Sequence, residues 1–487
     1  MRATLLEQIG CFACRVGLAY IIGDILQRRV ELNTPLHSLI SLREALFWKD
    51  IGRSPYTGSY FRGPPLLLPL FRWTSVQLVR QVVGLGVVDW ITAQLLSSVA
   101  DEVTRFQDGD GQGLRTVQQA APLLYLINPC LILSTAAGST ANLANLCVLT
   151  ALQGGLAGNT ALAGLGLAAA TYLSAHPFLL LVPTALLVRK HVTKQQNGLA
   201  GVSACCSSVA EITAASIYSQ VADGPDKAAS EPQHGLPDVL QTAKQSVQKQ
   251  KTRVTCQLLC FFFMFLLGLL VLSEMQLRHD LEHFARCMSG SLDRPQATKQ
   301  QSLPLGASKH QHWTQHVYGY MLTGPDSTPN IGMWWYFFAE VFPSWRAPLK
   351  YLFTCAAVIP PLLLTIKLHQ QPLLLFLCQC IVNSMLKPYP TAADAAQFMA
   401  LLPLFPHLLL QLPSVAFTAT SLLLLVYLGP TMWYLWMDLG TGNANFYYAI
   451  TLLWSAWQAM LLLQLLSAAL ESSATDEQQG KHIKKAT

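Results

Sequence analysis

The chain has 487 residues, of which 52% are hydrophobic and 12% charged, against about 25% charged in an ordinary soluble protein. Crossing hydrocarbon takes roughly 20 apolar residues per helix, and such stretches recur from residue 8 to 470, so the chain reads as an all-α polytopic membrane protein with about ten to twelve transmembrane or intramembrane helices. No stretch is left for a free-standing soluble catalytic domain, and the net charge of +6, scattered at the ends of apolar runs, gives no nucleic-acid-binding surface.

The first apolar run, residues 8–26, carries Arg15 and Asp24 and lacks a small-residue cleavage site, so it is expected to be retained as a helix. Cys11 and Cys14 within it have redox spacing, but in an apolar span thiols pack as small hydrophobes. Residues 27–64 are polar and lumenal if the N-terminus is cytosolic. Residues 65–72 are too short to cross; a span at 77–100 follows, carrying Asp89. The next loop contains Asp108-Gly-Asp110-Gly, an Asp-x-Asp whose neighbouring glycines mark a flexible linker rather than a metal–nucleotide-sugar site. From 119 to 188 the apolar sequence is interrupted at Asn128-Pro129, Gly138 to Asn142, Gly154-Gly155 and His176-Pro177. Such interruptions predict short or broken helices whose freed backbone groups are buried in protein or line a cavity. Residues 1–193 thus form an N-terminal membrane block.

Residues 194–253 and 275–316 are rich in Ser, Gln, Ala and charge and are expected to be polar, disordered insertions flanking a transmembrane helix at 254–274. A C-terminal membrane block spans 317–470. It opens with turn residues and an aromatic run, Trp334 to Phe338, of the kind that favours the membrane boundary. Residues 471–487 form a tail whose Lys484 and Lys485 match a dilysine retrieval signal, an address for the endoplasmic reticulum read from the cytosol.

No catalytic constellation and no metal site emerges. His279, His283 and Cys287 share a helical face, with His310, His312 and His316 following, but a fourth well-spaced zinc ligand is missing. Asp89, Glu340 and Asp394 are ionisable groups in or near spans, where pairing is as good an account as function; Lys387 and Arg346 are their neighbours for Asp394 and Glu340. The strongest polar signal is Leu439-Gly-Thr-Gly-Asn443-Ala-Asn445-Phe446-Tyr447-Tyr-Ala-Ile450. It interrupts an apolar sequence with no Asp, Glu, Lys or Arg between Asp394 and Asp438, or between Asp438 and Glu471. Amides at such a boundary either cap a helix or bind a polar ligand.

Several of these segments together resemble the PIG-U subunits of GPI transamidase: Asp50-Ile-Gly-Arg-Ser-Pro-Tyr-Thr-Gly58, Leu126-Ile-Asn-Pro129, Thr328-Pro-Asn-Ile-Gly-Met-Trp-Trp-Tyr-Phe-Phe-Ala-Glu340, Tyr389-Pro-Thr-Ala-Ala-Asp394 and Asn443 to Ile450. They run in order along most of the chain, with the two polar insertions outside the resemblance. The resemblance implies a GT-C-like architecture and a non-catalytic subunit of an endoplasmic reticulum complex. That complex exchanges a protein's C-terminal signal for a glycosylphosphatidylinositol, and its catalytic cysteine protease subunit is another chain. It also implies a GPI-lipid site, placed on Asn443, Asn445, Phe446, Tyr447 and Trp335, with Lys194 in a basic juxtamembrane patch; no cofactor is implied. The alternative is a lumenal GT-C mannosyltransferase using a dolichol-phosphate sugar. Such enzymes place an acidic pair in the first lumenal loop, where this chain has Glu31 alone, with Asp50 downstream. A transporter or scramblase is a third reading, permitted by the broken helices.

Overall fold

The computed structural model describes residues 4–58, 60–72, 78–106, 112–195, 236–290, 312–323 and 328–486, and among these there are helices and turns but no strand. Seven helical segments are long and apolar enough to cross a membrane: Leu5–Gln27, Val79–Arg105, Arg115–Ala136, Gln245–Asp280, Pro343–Leu368, Val415–Asp438 and Ala444–Ser472. Shorter apolar helices lie at Thr160–Leu173, Pro372–Leu386 and Ala392–Leu404. The chain is an all-α polytopic membrane protein.

The N-terminal block contains α1 (Leu5–Gln27), α2 (Leu39–Asp50), α3 (Leu67–Arg72), α4 (Leu78–Phe106), α5 (Gln112–Ile127), α6 (Pro129–Ala136), α7 (Ala141–Leu156), α8 (Thr160–Leu173) and α9 (181–195). Its breaks have local causes. The Asn128 side chain accepts from the Cys130 N–H at 2.9 Å, with Pro129 at the first helical position, so α6 restarts there. Asn159 caps α8 through the Leu162 N–H. Gly138 and Gly158 turn the chain with positive φ, at 74° and 69°.

Gly154 and Gly155 behave differently from expectation. They lie inside α7, and a Cβ on Gly154 would sit 2.3 Å from the Ala163 backbone nitrogen. On α8, Gly166 meets the α7 backbone at Ala151 in the same way. The glycines bring two helices into backbone contact instead of breaking one. The opposite side of α8 packs on α10 (Leu236–Gly290), where Gly164 faces Phe261.

At 55 residues α10 corrects the expectation of insertions at both its ends. Residues 236–253 and 275–290, expected to be disordered, continue the apolar span as helix. Their Gln, Lys, Ala, Leu and Glu content is favourable for helix once a buried segment has nucleated it. Residues 196–235 and 291–311, the remainder of both expected insertions apart from their edges, lie outside the described residues, as does the Asp108-Gly-Asp110 segment.

The C-terminal block comprises α11 (Tyr320–Thr323), α12 (Trp335–Glu340), α13 (Pro343–Ala356), α14 (Ile359–Leu368), α15 (Pro372–Leu386), α16 (Ala392–Leu401), α17 (Pro406–Leu410), α18 (Val415–Trp433) and α19 (Ala444–Ala486). One apolar core joins residues of α1, α4 to α8, α15, α16, α18 and α19, while outward residues such as Ile21, Leu267, Ile366 and Leu423 form the lipid-facing surface.

Two ionic nodes lock this core. Arg15 on α1 donates to Asp89 on α4 at 3.1 Å and to the Leu126 carbonyl at 2.8 Å, and Thr135 and Asn142 donate to the same carboxylate. Lys387 donates to Asp394 at 3.0 Å and to His37 Nε2 at 3.2 Å. Burial, followed by the charge of Lys387, pushes His37 down to about 3, so its imidazole stays neutral and its Nε2 accepts a hydrogen bond from the lysine ammonium. Asp394 also closes a capping box with Thr391 at the start of α16. Arg346 donates to the Ala339 and Val341 carbonyls at the end of α12.

Candidate functional site

The polar interruption at 439–445 is a tight reversal between two spans. After α18 the helix widens into a π turn at Tyr434–Asp438, and Gly440 takes φ 65°. The N–H groups of Thr441 and Gly442 both donate to the Leu435 carbonyl, at 3.0 and 2.8 Å. A Cβ on Gly442 would meet the Leu435 carbonyl carbon at 3.1 Å, which accounts for glycine there. Asn443 is the N-cap of α19: its side-chain oxygen accepts from the Asn445 N–H at 3.2 Å. Asn443, Asn445 and Phe446 are exposed, whereas Tyr447 is buried.

Behind the amides lies an aromatic cluster. Trp335 on α12, Trp433 on α18 and Tyr447 on α19 are its buried members, with Tyr336, Trp436 and Tyr448 packed around them. Ring centroids of Trp335 and Tyr447 are 6.0 Å apart, and those of Trp433 and Tyr447 5.1 Å, in tilted and edge-on geometries. The Tyr448 hydroxyl donates to the Met333 carbonyl at 3.0 Å, fastening α19 to the segment before α12.

The first loop reaches the same place. The Ala392 N–H donates to the Glu31 carbonyl at 2.9 Å, and the Glu31 side chain faces Tyr447. Both Glu31 oxygens, the Tyr447 hydroxyl and Trp335 Nε1 are shielded from solvent without completing a hydrogen bond. Burial raises the Glu31 carboxyl above its ordinary value of 4.5, opposed by its own backbone N–H, by Arg29 and by Tyr447. Glu31, Tyr447 and Thr451 line a cavity of about 100 Å³ whose remaining wall, including Leu425, Val426, Ile450 and Trp454, is apolar. The arrangement sets exposed amides at the head of α19, just ahead of a slot lined by Glu31 and Tyr447 and by apolar residues of α18 and α19.

Comparison with known proteins decides the family. A model of the family described as GPI transamidase subunit PIG-U matches residues 9–298 and 301–454. The chain belongs to the PIG-U family. Among curated PIG-U relatives, the human GPI-anchor transamidase component PIGU is 26% identical over 471 residues, covering 92% of this chain and 89% of its own length. The Saccharomyces cerevisiae GPI transamidase component GAB1 is 25% identical over 470 residues, covering 95% and 93%. A homologue of GAB1 from Schizosaccharomyces pombe is 23% identical over 458 residues, with 92% and 88% covered. The PIG-U match runs through the polar stretches expected to lie outside it, breaking only between 298 and 301.

Within this PIG-U chain the expected site residues separate into groups. Asn443, Asn445 and Phe446 share an exposed edge. Tyr447 and Trp335 have their ring faces covered by other aromatics, and present a hydroxyl and an indole N–H to the site rather than open faces. Lys194 is elsewhere. It lines a different cavity with Ala469 and Ser472, about 24 residues further along α19, roughly 36 Å at the helical rise. Arg29, Glu31, Trp433 and Trp436 join the site unforeseen. The three-residue spacing of Trp433 and Trp436 was the legible hint; nothing local in sequence links the first loop to α19. Asp50, the second acid considered for a transferase, is at the surface 4.0 Å from Arg72.

Proposed function

We propose that this chain is the non-catalytic subunit of a GPI transamidase in the endoplasmic reticulum membrane that recognises the GPI lipid and presents it to a catalytic cysteine protease subunit on another chain. Membership of the PIG-U family supplies the complex. The observation that supports lipid recognition is the position of exposed Asn443 and Asn445 at the head of α19, just ahead of Tyr447, which with Glu31 lines an apolar slot and lies within reach of the Arg29 charge. Amides supply donors and acceptors for phosphate and sugar hydroxyls, a guanidinium supplies charge for the phosphoinositol, and the slot takes hydrocarbon. With the tail cytosolic, the start of α19 faces the lumen, where the ethanolamine of the anchor would be delivered.

The test is complementation of cells lacking this subunit, scored by surface display of GPI-anchored proteins and by co-purification of the complex. Asn443→Ala with Asn445→Ala is expected to lower display with the complex intact. Because the Asn443 cap itself contributes about 1 kcal/mol, Asn443→Ser, which keeps a capping oxygen and loses the amide, separates the roles. Normal display in Asn443→Ser with Asn445→Ala, or loss of display only through loss of the complex, would overturn the ligand role.

A further inference from the structure

A cavity larger than the slot beside Tyr447 lies away from the aromatic cluster. It holds about 520 Å³, within the ~300–1,000 Å³ typical of small-molecule sites. It opens where α4 and α19 end their apolar spans, at Arg105 and Ser472, so it sits at headgroup depth on the face opposite Asn443. Its rim carries Lys190, His191 and Lys194 from the end of α9, together with His407 of α17, and its wall includes Leu187, Leu373 and Leu408.

The rim is built rather than incidental. Lys190 and Lys194 are one turn apart, on the same face of α9. The Lys194 ammonium donates to the Arg105 carbonyl at 3.0 Å. His191 Nδ1 bonds the Leu156 carbonyl at 2.8 Å, and its ring packs on Gly158, whose φ of 69° and open side leave it room. Glu102, on the last turn of α4, is engaged by Arg105 at 3.2 Å. Two ammonium groups a turn apart repel each other, and an anion between them relieves that repulsion. Aliphatic walls below the same cations disfavour water and accept acyl chains.

We propose that this cavity is a second lipid site, for a phospholipid of net negative charge in the cytosolic leaflet, held by its phosphate on Lys190 and Lys194 and by its acyl chains against Leu187, Leu373 and Leu408. It is separate from the slot beside Asn443 and does not rest on that slot binding GPI. Lys194, expected at the GPI site, belongs to this one.

The experiment uses the assembled complex purified in mild detergent, with bound lipid identified by native mass spectrometry. Retained phospholipid is expected to fall about fivefold for each lysine lost in Lys190→Gln and Lys194→Gln, and to persist in Asn443→Ala with Asn445→Ala. Leu373→Trp, which fills the chamber and leaves the charges, is expected to expel the lipid too. Melting temperatures in nanodiscs of phosphatidylcholine alone, with added phosphatidylinositol, or with inorganic phosphate in the buffer separate the sources. Stabilisation by phosphatidylinositol only, lost in the double lysine variant, supports the proposal. Equal stabilisation by inorganic phosphate assigns the rim to a soluble anion and overturns it, as does unchanged lipid retention in the lysine or Leu373→Trp variants.

Discussion

Glu31 is held by its backbone to Ala392 while its carboxyl oxygens are left without partners beside Tyr447. Burial of that carboxyl outweighs the help from its own backbone N–H, Arg29 and Tyr447, so it ionises less readily in the folded protein than in the unfolded one. The sign follows: with a folded-state value raised above 4.5, Glu31 costs nothing below the unfolded value and opposes folding increasingly as pH rises through the folded one. Glu31→Gln is therefore expected to melt higher than the parent at neutral pH, with the difference closing as pH falls toward 4.5; a difference independent of pH would contradict it. Such a variant also bears on the transferase alternative, since Glu31 is the acid that alternative requires. Sequence singled out Asn443 correctly as a polar residue needing a partner, and its cap on the Asn445 N–H is one partner found. It did not reveal Glu31 against Tyr447, because periodicity and spacing report neighbours along a helix, and this contact joins the first loop to the last helix.

The helices are held at different distances, and glycine sets the closest. At the α7–α8 crossing both backbones touch, through Gly154 on one helix and Gly166 on the other. Gly154→Ala is expected to destabilise by about 1–3 kcal/mol, because the obstacle is backbone and cannot rotate away. Gly17→Ala on α1, where a Cβ meets nothing within 4 Å, should be neutral or gain a few tenths of a kcal/mol up to about 1. Thermal denaturation of the complex with the two variants in parallel checks both. The sequence shows these glycines plainly; it does not distinguish one that ends a helix from one that admits a neighbour. That choice depends on what lies across the interface. The same ignorance of context misjudged residues 236–253 and 275–290, whose polar composition is what a helix needs once it leaves the bilayer.

Across the whole molecule, Arg15 and Asp89 tie α1 and α4 to the α5–α6 break and to α7. Pairing of Asp89 within the membrane was a reading open from sequence; its partner was not, since charge alone names no distance. Arg15→Leu leaves Asp89 buried without its cation and is expected to cost about 3–5 kcal/mol, seen as lost complex in co-purification. Arg15→Leu with Asp89→Leu should recover part of that, and failure to recover any would mean that Thr135, Asn142 and the Leu126 carbonyl matter more than the pair. The class of fold, the spans and the aromatic boundary were legible because hydrocarbon imposes length and composition on every helix. The site was legible only in part, since three of its elements meet from distant parts of the chain. One helix, α19, contributes to both cavities. The apolar part of α19, Ala444–Ser472, has 29 residues and measures roughly 44 Å at the helical rise, while a bilayer has a hydrocarbon core of about 30 Å. The mismatch must be absorbed by tilt, by protruding ends or by local thickening, and the balance among them depends on the thickness of the surrounding bilayer. Lipid composition then enters as a mechanical variable, setting the inclination of the helix that carries Asn443 at one end and the lysine-rimmed chamber at the other.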